Sequence, residues 1–324
     1  MTGRRPAPAD TPGDPMRSRW APSQVRAGRS CVKLPPLQYV RASSVSEAVG
    51  LLVQGAGDAR ILAGGQSLIP VLAFRLAAPA VLVDIGGIAE LKRIDITDET
   101  VTLGALVRWV DIERSAALKA HMPLLPAVMA HVAHYQIRNR GTVGGSLAHC
   151  DPAAEMPGLA VTCDGTIILE GASGRREVPA AEVLTSALAA EIAEDEMIVA
   201  LRFPRWQPGR CWGFAEFARR KGDFAMAGII THFDRDADGA TRDVHLGVIG
   251  ATDRPTRLPG AEAALEGRIP DTTAIRDTCR AVQDEVEPPE DIHASAAYRR
   301  ALAGVMAEQA LHQAARQPAT VGGQ

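Results

Sequence analysis

The chain has 324 residues, 46% of them apolar and only 4% aromatic, and a formal net charge of −3. That length and apolar fraction suit two domains whose cores rely on alanine, valine and leucine, and the small negative charge argues against nucleic acid or an anionic membrane as the main partner. No apolar run approaches the roughly 20 residues of a membrane span. The five cysteines are Cys31, Cys150, Cys163, Cys211 and Cys279. Their odd number and the lack of a C-x-x-C pair point to free thiols in a reducing cytoplasm. They also exclude an iron–sulfur cluster in this chain, which needs about four thiolates at short spacing.

Residues 1–32 are rich in proline, arginine and glycine and lack the apolar core of a secretory signal, so disorder is expected there. Val32 begins the first stretch with folded character and is a candidate natural start, since a valine codon can initiate translation in bacteria. Order is expected from Leu37. Ser44-Val45-Ser46-Glu47 has capping-box spacing and opens a helix that Gly55 ends. Arg60 to Ala63 reads as a short strand, Leu68 to Leu76 as a helix and Val81 to Ile85 as a buried strand, together a small α/β unit.

Between that first strand and helix lies Ala63-Gly64-Gly65-Gln66-Ser67-Leu68. About 80 residues on comes an echo, Gly141-Thr142-Val143-Gly144-Gly145-Ser146-Leu147. Adjacent glycines admit positive φ and close approach of a ligand, and successive backbone N–H groups there make an anion site. One such turn is as readily a plain chain reversal. Two of the same plan suggest two turns gripping one pyrophosphate, and hence a dinucleotide.

Further along, Leu91–Ile96 and Val101–Leu106 read as a hairpin. Val110–Leu118 and Leu124–Ala133 read as helices, and Pro152–Val161 as a helix with Pro152 in its first turn. Thr166–Leu169 and Met197–Phe203 read as strands, with Pro204 closing the unit. A domain boundary is expected at Arg205–Arg210. Trp212–Ala218, Ala227–Phe233 and Val244–Ile249 follow as strands, with a tight turn at Asp236–Gly239. Helices at Ala274–Val286 and Ala294–Ala315 complete an α+β pattern.

Ala63 to Pro70, and above all Ile137-Arg138-Asn139-Arg140-Gly141-Thr142-Val143-Gly144-Gly145-Ser146-Leu147-Ala148-His149, resemble the two flavin-pyrophosphate loops of a known family. It is the medium, FAD-binding subunit of molybdenum hydroxylases, of the aerobic carbon monoxide dehydrogenase and xanthine dehydrogenase type. Ala218 to Ala225 and Ala297 to Arg300 resemble the same subunits, and the likeness runs from about residue 33 to 318 in order. It implies a two-lobed PCMH-type FAD-binding domain (33–207, lobes about 33–88 and 89–207). A smaller antiparallel-sheet-plus-helices domain (211–318) and a tail (319–324) follow.

The resemblance also implies site residues. Leu62, Ala63, Gly64, Gly65, Gln66, Ser67 and Leu68 match the first loop, and Thr142, Val143, Gly144, Gly145 and Ser146 the second. Glu155 falls near the ribityl or phosphate region. Ile198 and Val199 fall on a segment passing the flavin ring, and Phe214 and Asp223 on a segment closing over it. Cys150 stands where an alanine is usual, and Phe214 where some members have a tyrosine.

Other side chains have plainer readings beside them. Ser67, Thr142 and Ser146 serve equally as helix caps. Arg138 and Arg140 suit a phosphate or a carboxylate of a partner subunit. His131 and His134 read as packed or hydrogen-bonded histidines rather than metal ligands, and no metal ligand set is evident. Cys150 lacks, beyond the neighbouring His149, the base and orienting group of a nucleophile. The Arg219-Arg220-Lys221 run reads as a solvated face or a partner contact.

The implied function is electron transfer. A large molybdopterin subunit would oxidise the substrate, a small subunit would carry [2Fe–2S] clusters, and non-covalently bound FAD here would pass electrons to a quinone, NAD or O2. No catalytic acid or base is expected. Such a complex would be cytoplasmic or at the inner face of the membrane. The competing readings are a stand-alone FAD oxidase or reductase and a non-redox nucleotide-binding module.

Overall fold

The computed structural model describes residues 34–317, so the expectations for residues 1–32 and 319–324 lie outside the described residues. The first lobe is β1 (Gln38–Arg41), α1 (Val45–Gly55), β2 (Ala59–Leu62), α2 (Leu68–Ala73) and β3 (Val81–Asp84), with its three strands parallel in the order β1-β3-β2. Ser44 caps α1 by accepting from the N–H of Glu47 at 3.1 Å. The Glu47 carboxylate reaches back to the N–H of Ser43 rather than Ser44, at 2.9 Å, so the reciprocal half of the capping box is shifted by one residue.

The second lobe starts with β4 (Ile94–Ile96) and β5 (Thr100–Gly104). Short helices follow: α3 (Trp109–Arg114), α4 (Ala116–His121), α5 (Leu124–Met129), α6 (Tyr135–Arg138), α7 (Val143–His149) and α8 (Glu155–Thr162). It closes with β6 (Thr166–Gly171), β7 (Gly174–Pro179), α9 (Ala180–Val183) and β8 (Met197–Pro204). Its sheet is antiparallel throughout, in the order β4-β5-β8-β6-β7. The expected helix over 110–118 is broken because Ser115 leaves α3 and caps α4, accepting from Leu118 N–H at 3.2 Å. Pro152 is not in a first helical turn: the Asp151 carboxylate accepts from Ala153 N–H at 2.9 Å and holds a turn, so α8 begins only at Glu155.

The last part comprises β9 (Cys211–Phe217), β10 (Ala227–Arg235), β11 (Thr241–Ile249) and β12 (Thr256–Arg257), then α10 (Pro259–Leu265), α11 (Thr272–Glu285) and α12 (Ala296–Ala315). Its antiparallel sheet runs β12-β11-β10-β9. One face packs on α10 to α12 through Phe233, Leu246, Val248 and the alanines of α12. The other face presents Phe214, Ile230 and Ile249 to the core of the second lobe, beside Leu159 and Leu201. This double burial matches the near-continuous apolar run of β10. The buried residues are mostly alanine, valine, leucine and isoleucine, as the low aromatic content requires.

A buried polar network joins the two parts. His245 Nδ1 lies 2.9 Å from the Thr162 carbonyl at the end of α8, and its Nε2 lies 3.0 Å from Asp243. His232 stacks on His245 at 4.4 Å and meets Arg210 at 3.2 Å through Nδ1, while its buried Nε2 has no partner among the described residues. Burial first, then the neighbouring His245 and Arg210, hold the His232 pKa well below its ordinary value. The unfolded chain therefore binds more protons once pH falls through the free-imidazole value of about 6.5, and stability is lost as pH falls below it. Urea unfolding at about pH 7.5 and about pH 5.5 should show this loss, and His232→Gln should remove part of it. An unchanged pH dependence in that variant would contradict the account.

Candidate functional site

A cavity of about 780 Å³ lies between the first lobe, α7, α8 and the loop at Gly222–Phe224. It falls within the roughly 300–1,000 Å³ of small-molecule and cofactor sites. Two loops form one end of it, and they are built differently.

The first loop follows β2 and leads into α2. The backbone N–H groups of Gly64, Gly65, Gln66 and Ser67 make no hydrogen bond among the described residues. Gly65 has φ +73°, a conformation in which successive N–H groups converge into an anion nest. Ser67 makes no cap bond. Gly64 serves the packing of the loops themselves: a Cβ there would lie 2.1 Å from the carbonyl oxygen of Arg140, at the edge of the second loop.

No strand precedes the second loop. It is preceded by α6, and Gly144 and Gly145 lie inside the first turn of α7, whose N-cap is Thr142. Gly144 N–H is spent on the Ala105 carbonyl at 2.9 Å, and a Cβ there would strike the Ala105 methyl at 2.7 Å. Gly145 N–H bonds the Thr142 hydroxyl oxygen at 3.3 Å, long enough to be redirected. The second loop thus offers a helix start and the hydroxyls of Thr142 and Ser146, and the first offers free N–H groups. Neither Gly144 nor Gly145 has positive φ.

Of the residues singled out from sequence, Ala63, Gly64, Gly65, Gln66, Ser67, Leu68, Thr142, Gly144, Gly145, Ser146, Glu155, Ile198 and Asp223 line this cavity. Leu62 faces a neighbouring hollow with Ile69, Pro70 and Arg140. Val143, Val199 and Phe214 are buried behind the wall: Val143 N–H bonds Val107, and the Val199 carbonyl accepts from Ala105. Phe214 meets His131 edge-on at 5.0 Å. The Arg138 guanidinium bonds Glu113 at 3.2 Å and the Val132 carbonyl at 3.1 Å.

Sequence reading missed Arg60, Trp109, His134, His149 and the segment Leu188–Glu194, which, Glu191 apart, line the cavity. That segment is held by Cys150, the C-cap of α7 at φ +51°: its thiol donates to Ser186 O at 3.3 Å, and its carbonyl accepts from Leu188 N–H at 2.9 Å. Glu155 carries the largest electrostatic displacement in the wall. Burial, then the Glu216 carboxylate, push its pKa up to about 8, with Asp151 adding to the repulsion.

An N–H nest beside two hydroxyls suits a pyrophosphate, and the apolar wall of Ile61, Leu68, Val71 and Ile198 suits a planar ring. Fold and cavity together define a two-domain protein that binds an extended nucleotide cofactor. Residues 35–206 match the family model described as FAD binding domain in molybdopterin dehydrogenase, and residues 212–314 the CO dehydrogenase flavoprotein C-terminal domain. The chain is 36% identical to the 6-hydroxypseudooxynicotine dehydrogenase complex subunit alpha of Paenarthrobacter nicotinovorans, over 87% of this chain and 96% of that one. It is 34% identical to the carbon monoxide dehydrogenase medium chain of Hydrogenophaga pseudoflava, over 86% and 97% of the two chains. A solved structure of carbon monoxide dehydrogenase from Hydrogenophaga pseudoflava superposes with a TM-score of 0.85 at 36% identity, covering 88% of this chain and 99% of that one. The chain belongs to the FAD-binding medium subunits of the molybdenum hydroxylase family, with a PCMH-type FAD-binding domain followed by a smaller antiparallel-sheet domain. No helix among the described residues is long and apolar enough to cross a membrane.

Proposed function

We propose that this chain is the electron-exit subunit of a molybdenum hydroxylase, taking electrons from a partner's [2Fe–2S] clusters and passing them to a quinone, NAD or O2. The observation that carries this reading is the unbonded N–H nest of Gly64–Ser67 set beside the hydroxyls of Thr142 and Ser146 in one large cavity. In this reading the nest and Gly145 N–H take the FAD pyrophosphate. Glu155 faces a hydroxyl of the cofactor, Ile198 the ring, and Asp223 the open side. The domains run 33–207 and 211–318. FAD supplies the chemistry, since it accepts electrons singly and releases them as a pair; the protein positions it and controls access. The complex would work in the cytoplasm or against the inner face of the membrane.

The partners follow from the division of labour. The chain has no cysteine spacing for a cluster, and its relatives include a subunit of a dehydrogenase complex and a carbon monoxide dehydrogenase medium chain. The purified chain alone should therefore fail to hydroxylate an aldehyde, a purine or carbon monoxide, while co-expression with its genomic neighbours should yield a complex containing molybdenum, iron and flavin. Full turnover by the lone chain would favour a stand-alone flavin oxidase instead.

A further inference from the structure

Glu155, which the reading above sets against a cofactor hydroxyl, has a second carboxylate, Glu216, in the layer behind it. Glu216 sits on β9 two residues after Phe214, on the sheet face turned to the second lobe. Its cross-strand neighbour is Gly228. A Cβ at Gly228 would lie 3.2 Å from Glu216 Cβ and 2.8 Å from Ile249, and a Cβ at Gly158 would lie 2.4 Å from Ile249. The bare Gly158 of α8 therefore seats directly on the Ile249 side chain of the sheet, which brings the helix close to the strand pair that carries Glu216. One turn before Gly158 on that helix stands Glu155, which lines the cavity.

Glu216 has one carboxylate oxygen, Oε2, buried with no hydrogen-bond partner among the described residues. Its other oxygen lies 3.4 Å from His131 Nδ1, and the His131 side chain is half exposed. An unpartnered buried carboxylate oxygen is costly unless a proton is shared with it. We infer that Glu155, Glu216 and His131 form a proton site that spans from the cavity to solvent and whose occupancy is coupled to the redox state of the bound flavin.

The raised titration of Glu155, caused first by burial and then by the Glu216 charge, supports a proton held at Glu155. Asp151 bears on it from the turn before α8, and His134, His149 and Asp223 face the same cavity from the other elements around it. The coupling rests on the FAD reading. When the partner's clusters reduce the flavin, the negative charge added in the cavity raises the proton affinity of the carboxyl pair. Around and above the pH at which Glu155 titrates, where the site is partly ionised, one proton then enters from solvent past His131, and it leaves when the acceptor removes the electrons. Two electrons enter the flavin and one proton the carboxyls, so half of the added charge is offset there; the electrons leave to the acceptor and the proton returns to solvent.

Infrared titration of the purified chain, stripped of nucleotide, tests the proton site without any flavin. From about pH 5 to about pH 10, a carboxylic-acid carbonyl band should persist at neutral pH and disappear only at alkaline pH. It should vanish in Glu155→Gln, and in Glu216→Gln its midpoint should fall by about one pH unit or more. Ionised carboxylates throughout at neutral pH, or a midpoint that Glu216→Gln leaves in place, would overturn the proton site. Thermal melts give a second reading: Glu155→Gln should gain on wild type as pH rises from about 5 to about 8, because the wild-type chain must surrender that proton. In flavin-loaded protein the wild-type potential should bend against pH where the band titrates, and Glu155→Gln should lack the bend. Coincident plots for the two proteins would overturn the coupling while leaving the proton site standing. A chain that takes up no flavin would overturn the FAD reading, and the coupling with it.

Discussion

Gly64→Ala should strip the protein of its flavin while leaving it folded. The added methyl would lie 2.1 Å from the Arg140 carbonyl oxygen and 2.9 Å from its carbon, a backbone obstruction that no side-chain rotation relieves. The first loop must move off the second, at an overpacking cost of about 1–3 kcal/mol, which a core of this size tolerates. The nest formed by Gly64–Ser67 then loses its register with Thr142 and Ser146. Charge-assisted hydrogen bonds contribute about 1.5–3 kcal/mol each. Losing two of them weakens binding by roughly two to four decades, at about 1.4 kcal/mol per tenfold. Flavin absorbance after gel filtration and far-ultraviolet circular dichroism measure the two halves of the prediction. A folded variant with wild-type flavin affinity would show that contact between the loops is not what shapes the phosphate site.

Gly145→Val should have an effect of similar size by a different route. Gly145 has no positive φ, so valine meets no left-handed backbone penalty there. Its Cβ would instead lie 2.8 Å from the Thr142 hydroxyl oxygen, with Ala63 at 3.9 Å on the facing loop. The cap hydroxyl is pushed from its place, at about 1 kcal/mol for a lost N-cap, and the two branches of valine fill cavity space where a pyrophosphate would approach within about 2.9 Å. Isothermal titration of the stripped protein with FAD should show binding weakened by about a hundredfold or more. Gly145→Ala should fall between the two, and an alanine variant that binds worse than valine would contradict the steric argument.

The contrast between these glycines shows what the sequence carried. The GG pairs marked the site because paired glycines beside hydroxyls are uncommon outside tight turns and phosphate loops. They did not reveal that Gly64 and Gly144 are set by packing on Arg140 and Ala105, because those neighbours are distant in sequence. The start of α7 was hidden for a related reason: two glycines in the first turn suppress helix propensity, and the Thr142 cap with the Gly144–Ala105 bond restores it.

Strands β3, β10 and β11 were legible from their β-branched runs. Strand β7, Gly-Arg-Arg-Glu-Val-Pro, was not, since it is an exposed sheet edge held by charge, with Arg176 bonding Glu196 at 2.6 Å and Glu177 paired with Arg202. Helix α10 was missed because Pro259-Gly260 reads as a breaker. Proline is tolerated at a helix start, and the Glu285 carboxylate accepts from the N–H groups of Gly260 and Ala261 at 3.2 and 3.0 Å. The Leu188–Glu194 wall had no signal, since small residues placed through Cys150 leave no periodicity. Phe214 and Val199 sit one layer deeper than expected because both sheets press on the second lobe's core.

The account stands or falls on whether this chain holds FAD in the cavity between the two loops. Acid precipitation of the purified yellow protein, followed by chromatography of pellet and supernatant, measures this most directly. The account predicts FAD in the supernatant at about one per chain, and none in the supernatant from the folded Gly64→Ala variant. Flavin that stays with the pellet, or a chain that remains colourless even after reconstitution with FAD, would contradict it.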